Sequence, residues 1–205
     1  MDVIVDHPPP FVFKQEPGDA LEAVSAVSDF LRSQGRAILS LRVDGQAITP
    51  ERLAFALKGK PLTAFHELLV TSEQIATLVH NCLTELDGVL PELSAVCHRL
   101  AEVFQSDRPE SGYEPFQQLA GIWKTIKERE LQVINALDVD CGRVDIEGMP
   151  LDQLHAELNR YIDEAAEALK AGDCVLLGDL LEYELAPRAE KESAIVALLR
   201  VHAQH

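Results

Sequence analysis

The segment Thr63-Ala64-Phe65-His66-Glu67-Leu68-Leu69-Val70-Thr71-Ser72-Glu73-Gln74-Ile75-Ala76-Thr77-Leu78-Val79-His80-Asn81-Cys82-Leu83-Thr84-Glu85-Leu86 holds the point where the chain changes period. Thr63 to Val70 is short and β-prone, and it reads as the last strand. Thr71 and Gln74 have the spacing of a capping box. Beyond them Ile75, Leu78, Val79, Cys82, Leu83 and Leu86 recur every three or four residues, which makes one face of a helix apolar. Every later apolar pattern has that same period. Leu93, Val96, Cys97, Leu100, Val103 and Phe104 form the next stripe, with Gly88 and Pro91 reading as a tight junction before it. After a loop over 106–115, Phe116, Leu119, Ala120, Trp123, Ile126 and Ile134 carry a third helix. A polar connector over 138–149 leads to Leu151, Leu154, Leu158, Ile162, Ala165 and Leu169. Asp173 caps a fifth helix, which Pro187 should kink or break. Short connectors between helices imply antiparallel neighbours.

Working back toward the N-terminus, the pattern is mixed. Val3-Ile4-Val5 and Phe11-Val12-Phe13 are β-prone and flank Pro8-Pro9-Pro10, whose missing donors suit a loop or a sheet edge. Asp19 and Glu22 form a second capping box, followed by Leu21, Val24, Val27, Phe30 and Leu31 at helical spacing up to Gly35. Ile38 to Val43 reads as a strand, Asp44-Gly45 as a turn, and Gln46-Ala47-Ile48 as its short return. Thr49-Pro50 starts a short helix that ends near Leu57. The fold class expected is therefore α+β. A small α/β layer spans residues 1–71, and an acidic antiparallel bundle of four to five helices spans 72–205.

Charge follows the same division. Residues 1–71 carry seven Lys/Arg and nine Asp/Glu; residues 72–205 carry eleven and twenty-five; the whole chain stands at −16. Such a field repels nucleic-acid phosphates and anionic lipid, so no nucleic acid and no membrane are expected as partners. A protein with a basic surface is the complementary partner. The chain opens Met1-Asp2-Val3-Ile4-Val5-Asp6, without the basic-then-apolar run of a secretory leader, and no apolar run reaches transmembrane length. The four cysteines, Cys82, Cys97, Cys141 and Cys174, make no CxxC pair. These features place the protein in a reducing cytoplasm.

Motifs for known chemistries are missing. No GxGxxG, GxxxxGK, GxSxG, HExxH or ExxH occurs. Asp138-x-Asp140-x-Gly142-x-x-Asp145-x-Glu147 lacks the fifth, sixth and twelfth positions of a calcium loop. His80, Cys82, Cys97 and His98 suggest zinc, but the helical wheel turns both thiols inward and both histidines outward, so four ligands do not converge. No metal, cofactor or catalytic residue is assigned on a motif.

Polar residues inside apolar arcs are more informative. At 100° per residue, Glu184 falls within the arc of Leu176, Leu177, Leu180, Leu181, Tyr183 and Leu185. Glu130 falls within that of Trp123, Ile126 and Ile134, with Lys127 beside it. His155 lies close to Leu158 and Ile162. A carboxylate in such a place must protonate or find a partner. Glu130, His155 and Glu184 are thus the candidate polar interior. The alternative for each is structural: Glu184 with Arg188, Glu130 with Lys127, and His155 on a backbone carbonyl.

Gly172 to Pro187 is the most distinctive stretch. Its Asp179-Leu180-Leu181-Glu182-Tyr183-Glu184-Leu185-Ala186-Pro187 is similar to a D-x-L-E-Y-E-L-x-P helix that closes uncharacterised bacterial proteins. The resemblance implies a bacterial cytoplasmic origin and carries no activity. Three functional readings follow. The first is a non-enzymatic interaction module, an adaptor, regulator or chaperone-like protein. The second is a metal or acid–base enzyme using the polar interior. The third is an assembly protein whose function is oligomerisation, a homodimer being the simplest form.

Overall fold

A computed structural model describes residues 1–204. The chain is α+β, with a small N-terminal sheet followed by helices. It divides into two compact units, Met1–Leu78 and the residues from Val79 onward.

The first unit is built on one sheet with strand order β1-β4-β2-β3. Strand β1 (Asp2–Val5) runs parallel to β4 (Glu67–Gln74), and β2 (Arg36–Val43) runs antiparallel to β4 on its other side. The two-residue β3 (Gln46–Ala47) folds back on β2. The turn between them has Asp44 at φ 48° and Gly45 at φ 79°, which is the geometry that Asp-Gly supplies to a tight hairpin. Helix α1 (Ala20–Arg32) starts on Asp19, whose carboxylate accepts the Glu22 amide at 2.8 Å. The other Asp19 oxygen accepts the Gly59 amide at 2.7 Å, so one residue ties this helix to the exit of α2 (Pro50–Leu57). Ala20, Val24, Val27 and Leu31 of α1 pack on Leu41, Val43, Leu68 and Val70 of the sheet and on Leu57. Burying each of the larger side chains stabilises the unit by about 1.5–3 kcal/mol.

Thr71 to Gln74 is not a cap. It is the second half of β4, paired with Arg36 to Ser40 of β2. Asp6 explains the difference, because its carboxylate accepts both the amide and the hydroxyl of Ser72 (3.0 and 2.7 Å), a partner that no local reading of Thr71 to Gln74 contains.

The helices of the second unit are longer than the punctuation of the sequence suggests. Helix α3 (Ile75–Phe104) runs without interruption past Gly88 and through Pro91. Its buried positions Val79, Leu83, Leu86, Leu90, Leu93, Cys97, Leu100 and Phe104 alternate steps of four and three from end to end. A break would have reset that register. Pro91 is exposed, so the carbonyl it leaves without an amide faces water. Helix α4 (Tyr113–Leu137) follows a short turn, and the polar connector after it contains a two-stranded hairpin, β5 (Asp145–Ile146) with β6 (Met149–Pro150). Helix α5 (Leu151–Ala171) ends on Gly172 at φ 70°.

The last helical run does not break at Pro187. Helix α6 (Cys174–Asp179), capped by Asp173, widens into a π turn over Leu180–Leu185 and continues as α7 (Ala186–His202). Proline at the second position of α7 falls directly after the widened turn, where the ordinary hydrogen-bond ladder is already interrupted. The core of this unit is formed by Leu119, Trp123, Ile126, Leu158, Leu177, Leu181 and Leu185, all under 3% exposed.

Candidate functional site

Three helices place ionisable groups together inside the second unit. Glu130 of α4 is fully buried, and Glu192 of α7 is 3% exposed. Lys127, one turn before Glu130, reaches both: its Nζ lies 2.8 Å from Glu130 Oε2 and 2.5 Å from Glu192 Oε2. His155 of α5 brings Nε2 to 3.3 Å from the same Glu130 oxygen, off the line of a hydrogen bond. One ammonium thus faces two buried carboxyls and a partly buried imidazole.

Charge balance decides the protonation. Two ionised carboxylates beside one ammonium would leave a net negative charge out of water, which is costly. Burial, then the negative charge of Glu130 and a hydrogen bond to it, pushes the Glu192 carboxyl up to about 8 against the pull of Lys127. Burial and the neighbouring Glu130 thus favour the protonated form of Glu192. Burial and the Lys127 charge push the His155 imidazole down to about 4, so it stays neutral.

Glu184 does not belong to this group. It lies in a second cluster nearer the surface, where Arg188 donates to its carboxylate at 2.8 Å and to Glu157 of α5 at 2.9 Å. The Arg188 guanidinium also covers the Tyr161 ring at 4.2 Å. The wide turn over Leu180–Leu185 is the reason. A π turn advances less than 100° per residue, so a wheel drawn with ordinary spacing rotates Glu184 inward and loses phase beyond it. Glu192 escapes the sequence reading for the same reason, because Pro187 is expected there to kink or break the helix. Its signal was present in Ala189, Glu192, Val196 and Leu199, which repeat at helical spacing and are buried together.

Cys82 and Cys97 share one helix and stand about 22 Å apart along its axis. Cys97 is buried while His80 and His98 are exposed. Among the described residues no group of three or more His, Cys, Asp and Glu side chains is placed to hold a metal ion. No helix among them is long and apolar enough to cross a membrane.

The surface of the first unit carries a different kind of site. Helix α2 presents Phe55 at 90% exposure beside an open cleft of about 690 Å³. Val43, Ile48, Leu57 and Phe65 give the cleft apolar walls, and Asp44, Glu51, Arg52 and Lys60 ring it. The cleft exists because the hairpin after β2 is only two residues deep and α2 leaves it at once through Thr49-Pro50. A whole phenyl ring in water is unfavourable for the isolated chain, and aromatic side chains of this kind are those that anchor protein interfaces.

Comparison with known proteins gives one match. A family model described as a domain of unknown function, DUF8042, matches residues 81–194. No curated protein and no solved structure matches the chain.

Proposed function

The chain belongs to the DUF8042 family, and since that description carries no activity, we propose from its own geometry that it is a non-enzymatic protein-interaction module. The observation that carries the reading is Phe55, 90% exposed at the edge of an open, charge-rimmed cleft. The interior supports it from the other side. Lys127 contacts both Glu130 and Glu192, and a buried polar cluster of this kind suits a scaffold. Four free cysteines among the described residues fit a cytoplasmic setting. The strong negative charge selects for a partner with basic surface.

The test is substitution of Phe55. Because that ring packs on almost nothing, Phe55→Ser should leave the melting temperature within about 2 °C of the parent. It should abolish capture of a specific partner in affinity purification from the native cell, compared quantitatively with the parent protein. Identical capture by both proteins would remove this reading. The acid–base reading rests on the convergence of Glu130, Glu192 and His155. It requires turnover of some substrate to fall with Glu130→Gln while the fold is kept. Assembly through self-association requires a species larger than monomer in sedimentation equilibrium.

A further inference from the structure

We infer that the free edge of β2 is a docking site for an extended peptide strand that places a branched apolar side chain opposite Ile38. This rests on the reading of the chain as an interaction module, but on a different surface from Phe55. Strand β2 has eight residues and its outer neighbour β3 only two, so β3 pairs with Arg42 and Val43 alone. From Arg36 to Ser40 that edge has no neighbouring strand.

The register fixes where the backbone groups point. The Ile75 amide donates to the Gly35 carbonyl at 2.9 Å. The pairing of β2 with β4 continues from there, with Arg36 opposite Gln74, Ala37 opposite Glu73 and Ile38 opposite Ser72. In an antiparallel ladder, residues that bond to one neighbour alternate with residues that face the other side. Gly35 and Ala37 therefore bond to β4, and Arg36 and Ile38 each aim an N–H and a C=O outward. Among the described residues no backbone group of a loop or turn reaches them. Leu41 shows the occupied form of the same edge, since its carbonyl accepts the Ile48 amide at 2.9 Å.

A bulge sets the side chains. The register shifts between Ile38 and Ser40, so Leu39 is an extra residue and is 60% exposed. Because of it, Ile38 shares the α1-covered face with Leu41 and Val43. A cleft of about 200 Å³ opens there, walled by Val24, Ile38, Leu39, Leu41, Ile48 and Leu53, and no charged side chain lines it. Bare strand edges usually carry proline or charge against unwanted pairing. Ala37-Ile38-Leu39-Ser40-Leu41 carries neither, and the bulge lies beyond Arg36 and Ile38, which keep regular pairing.

Backbone and cleft select the occupant together. An extended strand matches alternating N–H and C=O groups along an edge. The residue it pairs with Ile38 points its side chain to the same face as Ile38, into the cleft, and an uncharged cleft takes an apolar one. A second copy of the chain fits worse. Antiparallel pairing of two β2 edges about Ala37 brings Arg36 of one copy opposite Ile38 of the other. That guanidinium is already committed within its own sheet, donating to the Ser72 hydroxyl at 2.9 Å and the Ser72 carbonyl at 2.8 Å.

The experiment uses the full chain and three fluorescein-labelled synthetic octapeptides that alternate threonine with valine and isoleucine. One is unmodified, one is N-methylated on its apolar residues, and one is N-methylated on its threonines. Binding is read by fluorescence polarisation. In a strand, residues that share a side-chain face also aim their backbone groups at the same edge, so the amides of the apolar residues face β2. Methylating those should weaken binding roughly tenfold or more. Methylating the threonines should leave it within about threefold. Leu39→Lys, at an exposed position, should weaken the unmodified peptide roughly tenfold with circular dichroism matching the parent. Phe55→Ser should leave it within about twofold. Absence of saturable binding by the unmodified peptide, or equal binding by the two methylated forms, would overturn the inference whatever the variant does. Equal binding by parent and Leu39→Lys, or a dimer in sedimentation equilibrium that Leu39→Lys dissolves, would overturn it as well. In any of these cases a partner lost with Phe55→Ser would leave the interaction reading standing.

Discussion

At Glu192 and His155 the physics of burial works in opposite directions, and the two can be separated by pH. Glu192 is raised to about 8 from an ordinary 4.5, so its contribution to stability is full below 4.5 and is lost as pH rises through 8. His155 is lowered to about 4 from 6.5, so its contribution is full above 6.5 and is lost as pH falls through 4. Between 4.5 and 6.5 the two slopes cancel. The cluster therefore predicts a plateau there and a decline of about 2 kcal/mol between pH 6.5 and 8. Urea unfolding at a series of pH values should show the decline in the parent; Glu192→Gln should lose it and instead gain stability as pH rises from 4 to 6.5. An unchanged alkaline decline in that variant would place the proton elsewhere. Gly112 gives a second prediction at this scale. A Cβ there would lie 2.9 Å from the Phe104 ring, which is itself packed against Tyr113 and Phe116. Gly112→Ala should cost about 1–3 kcal/mol by overpacking, measured by the same method.

Single elements show where local signals and longer patterns conflict. Gly88 and Pro91 are strong local breakers, yet α3 continues because eight buried positions in one unbroken register outweigh one absent hydrogen bond. Relieving that defect should help. Pro91→Ala restores an amide opposite the Asp87 carbonyl on an exposed face and should raise stability by roughly 1–2 kcal/mol, less the entropy that proline removes from the unfolded chain. A fall in the denaturant midpoint would mean that Pro91 makes a contact that the helix needs. The π turn over Leu180–Leu185 is the opposite case. It leaves no mark in local propensity, yet it sets which carboxylate of the last helix is buried.

For the whole molecule, the dominant long-range feature is a charge of −16, most of it on the second half. Self-repulsion of that size weakens the folded state and is screened by salt. The melting temperature should therefore rise by a few degrees from low to physiological ionic strength. A fall would show that close ion pairs such as Arg200 with Asp87 and Arg188 with Glu157 outweigh the general repulsion.

Sequence by itself determined the α+β class, the helix starts at Asp19 and Asp173, the Asp44-Gly45 hairpin and the inward placement of Glu130, because each depends on residues within a few positions of one another. Tertiary structure alone decided the rest. Thr71 to Gln74 became strand because Asp6 and β2 claimed its backbone. Lys127 found Glu192 because a widened turn rotated α7. Phe55 stands exposed on α2 because its own unit packs nothing against it. Such outcomes depend on contacts between segments far apart in the chain, and periodicity along one segment holds no information about which distant group will arrive.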